Sequence, residues 1–148
     1  MKKGISLIEL LIAMALAVFV FLLVISMLMT ILTANARSSR QETFEQTKND
    51  LQSELTNAVK WGKDISWSSG QLIVDGVAYS RISNVIIKNG QLLTPPQVKI
   101  TNWTITELGQ GDPNISLRME IAMENAANSS IKDNMILTVT KRQTIIVK

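Results

Sequence analysis

Between Leu10 and Ile25 the chain has sixteen consecutive apolar residues, and after Ser26 the run resumes as Met27-Leu28-Met29 and, past Thr30, as Ile31-Leu32. From Leu10 to Leu32 there are 23 residues without a charge. A helix of that length crosses a hydrocarbon core of about 30 Å. It has no polar face to turn to water, so it must be buried in lipid or among segments like itself. Glu9 stands at its entrance, behind the short basic stretch Met1-Lys2-Lys3-Gly4. A charge at the centre of a bilayer costs about 2.5–3.5 kcal/mol, and less near the interface. A carboxylate at this position therefore calls for a partner, which a plain anchor would not supply.

Two ordinary readings of this N-terminus stand beside a more specific one. A secretory signal peptide would use the same basic start and apolar run, with Ala34-Asn35-Ala36 as the cleavage site. The run is longer than the roughly 7–15 residues of such a segment, and Glu9 interrupts its leading edge. An uncleaved anchor is the other. Lys2 and Lys3 precede the run and Arg37 and Arg40 follow it, so charge asymmetry does not orient it.

Past Leu32 the helical signal continues while the polarity changes. Residues 37–60 hold four basic and four acidic side chains with no Gly or Pro. Phe44, Leu51, Leu55 and Ala58/Val59 form one apolar stripe at helical spacing. Trp61-Gly62-Lys63-Asp64 predicts the helix end, giving one helix from about Ile5 to Trp61, roughly 85 Å long at about 1.5 Å per residue. The stripe is too short for a coiled-coil seam and predicts packing on a sheet built from the rest of the chain.

From Ile65 the period shifts to that of strands. Residues 71–74 and 77–82 flank Asp75-Gly76, and residues 85–88 and 91–93 flank Asn89-Gly90, two hairpin signals of the same kind. Thr94-Pro95-Pro96 ends that segment, and a longer strand runs from Val98 to Ile105. Residues 109–114 read as a loop. Residues 115–123 alternate strictly, with the apolar side chains at odd positions, and predict a strand with one wet face. Residues 125–134 read as a polar loop, and residues 135–140 and 144–147 as closing strands. The order, one long helix and then strands, predicts an α+β fold with the amphipathic half of the helix laid on an antiparallel sheet.

At 148 residues there is room for one small domain besides the helix. The net charge of +3 and the scattered basic residues give no reason to expect nucleic acid. The chain has neither Cys nor His, which excludes disulfides, thiolate sites and histidine-based catalysis. Glu120 and Glu124 with Arg118 fit a solvated strand face, Asp75 fits a tight turn, and Asp112 alone falls far short of the 6–8 or so oxygens that calcium requires. Trp61, Trp67 and Trp103 invite a sugar-binding platform, but core packing accounts for them better, with Trp61 and Trp67 covering the join of helix and sheet. No catalytic residue, cofactor or metal ligand is expected.

The series Lys3-Gly4-Ile5-Ser6-Leu7-Ile8-Glu9 and the unbroken apolar run behind it resemble the class III signal of type IV pilins and pseudopilins. The resemblance covers Lys3 to about Leu32. The later strands around Gln91-Leu92-Leu93, Val98–Trp103 and Leu117-Arg118-Met119 are weakly similar to those of minor pilins and accessory pseudopilins. Two departures are visible. Ile5 stands where the family usually has Phe, and no proline occurs before Pro95, whereas many major pilins kink their helix with one.

The resemblance implies cleavage after Gly4 by a prepilin peptidase that also methylates Ile5, and a filament packed around the helix. It assigns Lys3, Gly4 and Ile5 to processing and Glu9 to subunit docking. The implied partners are that peptidase, other pilin or pseudopilin subunits, an inner-membrane assembly platform and, before assembly, membrane lipid. The implied order is a leader at 1–4, a membrane or filament-core helix at 5–33, an amphipathic continuation at 34–62 and a β-rich domain at 63–148. The expected protein is a structural subunit, a minor one rather than a major one, and not an enzyme. It would be held in the cytoplasmic membrane by a single pass with its C-terminal domain outside, and then enter a filament. The competing expectation is an exported or tethered binding domain that never polymerises.

Overall fold

The computed structural model describes residues 6–68, 70–108 and 115–141. The chain divides into two compact units, Met1–Arg40 and Gln41–Lys148. Helix α1 (Leu7–Trp61) runs through both. It has no Gly or Pro within its 55 residues, so nothing in its backbone chemistry interrupts it. Its start is set by Ser6, whose carbonyl accepts the N–H groups of Glu9 and Leu10 at 3.0 and 3.2 Å. Its end is set by Gly62. The Gly62 N–H closes a last bond to the Ala58 carbonyl at 2.8 Å, and a Cβ at this position would stand 2.3 Å from Val74 Cγ1.

In the first unit the described residues are all helical apart from Ser6. Among its described residues the second unit carries the end of α1 and eight strands in two antiparallel meanders rather than the one sheet expected. The first meander joins β1 (Ile65–Ser68), β2 (Gln71–Val74), β3 (Val77–Ile82), β4 (Val85–Lys88) and β5 (Gln91–Leu92) in chain order. The second joins β6 (Val98–Leu108), β7 (Ser116–Asn125) and β8 (Asn128–Thr140). Both anticipated hairpins form. Asp75 and Gly76 have φ of 51° and 81°, and Asn89 and Gly90 have 49° and 84°. Positive φ at both central positions matches the right-handed twist of the flanking strands.

The core draws on all three layers. Phe44, Leu51, Leu55 and Val59 of α1 are 0–2% exposed, and they share one apolar cluster with Leu72, Tyr79 and Ile86 of the first meander and Leu117, Met119, Ile121 and Met123 of β7. The α+β architecture with the amphipathic half of the helix on antiparallel strands is therefore the one the sequence predicts.

Three details differ from expectation. Residues 125–134 are not a loop. Asn125 is buried, and its side-chain oxygen accepts the N–H groups of Ala127 and Asn128 at 3.0 and 3.1 Å, so the chain reverses in a tight turn and β8 begins at once. The polar residues that suggested a loop lie on an edge strand, where solvent takes the outer side. β6 extends to Leu108 and carries a register shift between Ile100 and Asn102. Strict alternation from Val98 and Ile100 would turn Asn102 inward, and the shift turns Trp103 inward instead. β1 is an additional strand, paired with β2. The expected loop at 109–114 and closing strand at 144–147 lie outside the described residues.

Candidate functional site

Every large apolar side chain from Leu7 to Leu32 is 40–77% exposed. α1 is long and apolar enough to cross a membrane. Two of its hydroxyls are met by the helix itself. Thr30 Oγ1 donates to the Ser26 carbonyl at 2.9 Å, and Thr33 Oγ1 donates to the Met29 carbonyl at 2.9 Å. Hydroxyls that bond back to their own helix present no unmet donor to hydrocarbon.

Glu9 lies in the first turn of α1. With Ser6 preceding the helix, it occupies the third helical position, the spacing of a capping box. A carboxylate there also meets the positive end of the helix dipole, worth about 0.3–1 kcal/mol at an exposed site. The spacing Ser6-x-x-Glu9 is the local signal of that position. Lys3, Gly4 and Ile5 lie outside the described residues.

Where α1 enters the second unit, ion pairs tie it to both meanders. Glu54 Oε1 accepts Lys88 Nζ at 2.6 Å and the Tyr79 hydroxyl at 2.8 Å. These two bonds, the lysine's first, hold the Glu54 carboxyl below the usual glutamate range against the opposing effect of burial. Tyr79 is pushed up, first by burial and then by the carboxylate beside it. On the other side Lys48 pairs with Asp133 of β8. That hydrogen bond raises Lys48 and lowers Asp133. At the helix end Asp75 does more than turn a hairpin. Its Oδ1 accepts the N–H groups of Lys63 and Asp64 at 2.9 and 2.8 Å, which holds the carboxyl below the usual aspartate range.

Two of the other acids are paired or faced by bases along β7. Arg118 pairs with Glu120 at 2.9 Å on the face of β7, and Glu124 lies opposite Lys132 across the ladder. Among the described residues no group of three or more acids is placed to hold a metal ion. The expectation for Trp61 is corrected. It is 58% exposed, with Lys60 Nζ at 5.3 Å from its ring centre. Trp61 lies two positions past Val59, about 200° around the helix from the buried stripe, which turns it away from the core. Trp67 is half-buried and Trp103 is buried, and the fold brings these two to one groove.

No protein-family model, curated protein or solved structure matches the chain. The fold and the helix define an α+β protein whose N-terminal helix can span a membrane once. That helix's second half packs on antiparallel strands, an arrangement consistent with a pilin-like fold.

Proposed function

We propose that this chain is a pilin-like structural subunit, a minor one, that inserts in the cytoplasmic membrane, is cleaved after Gly4, is methylated on Ile5 and assembles through its N-terminal helix into a type IV pilus or a related secretion pseudopilus. The observation that carries this reading is the band of exposed apolar side chains from Leu7 to Leu32, uncharged from Leu10 onward. It is far larger than the few hundred Å² or so that a soluble monomer leaves bare. Lipid satisfies it before assembly, and the helices of other subunits satisfy it in a filament. The role is structural and involves no catalysis.

The test is the intact mass and N-terminal sequence of the mature protein. A methylated Ile5 start is the expected result. An Arg37 start would mean a secreted domain, and an unprocessed Met1 would mean an anchor that does not polymerise.

Glu9 supplies a second test. The dipole term at the helix start is smaller than the cost of about 2.5–3.5 kcal/mol for a charge carried deep into apolar surroundings. A docking role therefore needs a cation, and the amine of a neighbouring subunit's N-terminus is the one this reading provides. Leaving one member of such a pair alone costs several kcal/mol, which makes the contact a filter for correct docking. Glu9→Gln is expected to insert and be cleaved normally yet enter sheared filaments poorly at equal membrane levels. Equal incorporation would mean that Glu9 has no docking role in this chain.

A further inference from the structure

Alternation along the first meander sorts its side chains by charge. The side that carries Leu72, Tyr79 and Ile86 packs on α1, and Lys88, opposite Tyr79 in the ladder, reaches Glu54 of the helix from it. Arg81, opposite Ile86, belongs to that side too. The other side has no charged residue on any of the five strands. There the register brings Ile73 beside Ala78, Ile82 beside Val85 and Ile87 beside Leu92, with serine or glutamine at the remaining places. Ile82 and Leu92 are 55% and 65% exposed, and the other four are partly exposed. None of the six belongs to the apolar cluster around α1. They make a second apolar face, turned away from the helix.

We propose that a second copy of the chain docks on this face, sheet to sheet, while both copies are held in one membrane. Three observations select that occupant. A two-fold contact sets a patch against its own image, so a charge near its centre meets its own sign. This face has no charge, whereas the outer face of the second meander carries Arg118, Glu120, Glu124 and Lys132. A surface that seats on lipid carries lysine, arginine or tryptophan for the headgroups, and the five strands place none of these on this side. The size also fits a tethered pair. Five strands about 4.8 Å apart, three of them four residues long, make a face of roughly 300 Å². Two such faces hide roughly 600 Å², about half of what a stable interface between free proteins buries. Copies confined to one bilayer by their helices meet at a far higher effective concentration, which lets a contact this small be occupied.

This inference rests on the membrane insertion in the function proposed above, and not on cleavage, methylation or filament growth.

The chain has no cysteine, so one introduced thiol reports alone. The full chain with Ser80→Cys, at the middle of the face, is placed in phosphatidylcholine vesicles at a high lipid-to-protein ratio. It is treated with a thiol linker that spans about 10 Å, the spacing of packed sheets. The expected result is a covalent dimer, with far less from Thr138→Cys on the exposed side of β8. Adding Ile82→Lys or Leu92→Lys to Ser80→Cys should lower the dimer yield about tenfold, because each new charge enters an apolar contact beside its own image. Both positions are exposed, so the thermal unfolding transition should be retained. Equal yields at positions 80 and 138 would mean random encounter and would overturn the proposal. So would a yield that neither lysine variant lowers. Quenching of a bimane at position 80 by brominated lipid would assign the face to the bilayer instead. A chain that does not float with the vesicles removes both this contact and the membrane reading, and one that floats without forming the dimer removes the contact alone.

Discussion

Leu16 and Leu51 lie on the same α-helix, yet the first is 60% exposed and the second 1%. The stretch around Leu16 is apolar on all sides, so no orientation of the helix can hide it from water. The stretch around Leu51 has one apolar stripe and charged residues elsewhere, so the surface that the two meanders present on one side is enough to satisfy it. Helical backbone is common to both; what differs is the partner that each side-chain pattern requires. The second half finds its partner within the chain, and the first half is long and apolar enough to find its own in a membrane.

The strongest way to break that comparison is to remove the helix from the strands. A fragment of residues 65–148 lacks Phe44, Leu51, Leu55 and Val59, whose burial contributes roughly 6–12 kcal/mol, comparable with the whole stability of a small domain. The fragment is expected to show no cooperative thermal transition, while one that begins near residue 30 should show one. A sharp transition in the shorter fragment would mean that the strands do not need the helix.

The same contrast can be drawn one residue at a time. Leu51→Ala should destabilise the second unit by about 2–5 kcal/mol, because it leaves a cavity in a closed core. Leu16→Ala should leave that transition where it is, since Leu16 belongs to the first unit and is 60% exposed. Near-ultraviolet circular dichroism of the two full-length variants, in the same detergent, compares them directly. Equal losses would show that the apolar half is packed within the chain after all.

How much of this was legible depends on distance along the sequence. The stripe from Phe44 to Val59, the end of the helix at Gly62 and the turns at Asp75-Gly76 and Asn89-Gly90 are local patterns, and each is present in the fold. Polarity misled between Asn125 and Asn134, because an edge strand and a loop both face water and differ only in backbone pairing. The shift beside Thr101 leaves no mark on composition, yet it decides which side chain of β6 reaches the core. Lys48 and Asp133 are separated by 85 positions, and nothing near either residue announces the other. Of the candidate site, the apolar band and Glu9 stand where the pattern put them, and the pairing of Trp67 with Trp103 needed the folded register.

Gly62 tests the junction where helix gives way to strand. An added Cβ would meet Val74 Cγ1 at 2.3 Å and the Ala58 carbonyl oxygen at 2.8 Å. The valine can turn aside, but the backbone oxygen cannot do so without disturbing the last helical bond. Gly62→Ala is expected to cost about 1–3 kcal/mol by overpacking, despite the usual gain from replacing glycine. An unfolding temperature equal to or above that of the native protein would show that the helix end moves freely.

The smallest effect concerns the charges that only the second half of the helix possesses. Glu54 is about one-third exposed, so its pair with Lys88 is worth at most about 1 kcal/mol after solvent screening. The direction with pH is fixed even though the size is modest. The folded carboxyl titrates below its ordinary value of 4.5, so folding favours the ionised form. Its contribution is complete above that ordinary value and fades as pH falls through the lower folded one. Glu54→Gln should therefore unfold a few degrees below the native protein at neutral pH, and the gap should narrow as the solution is acidified below the ordinary glutamate value. Parallel melts across that range make the measurement. A gap that stays constant would assign the effect to the Tyr79 hydrogen bond and to packing, because neither needs the charge.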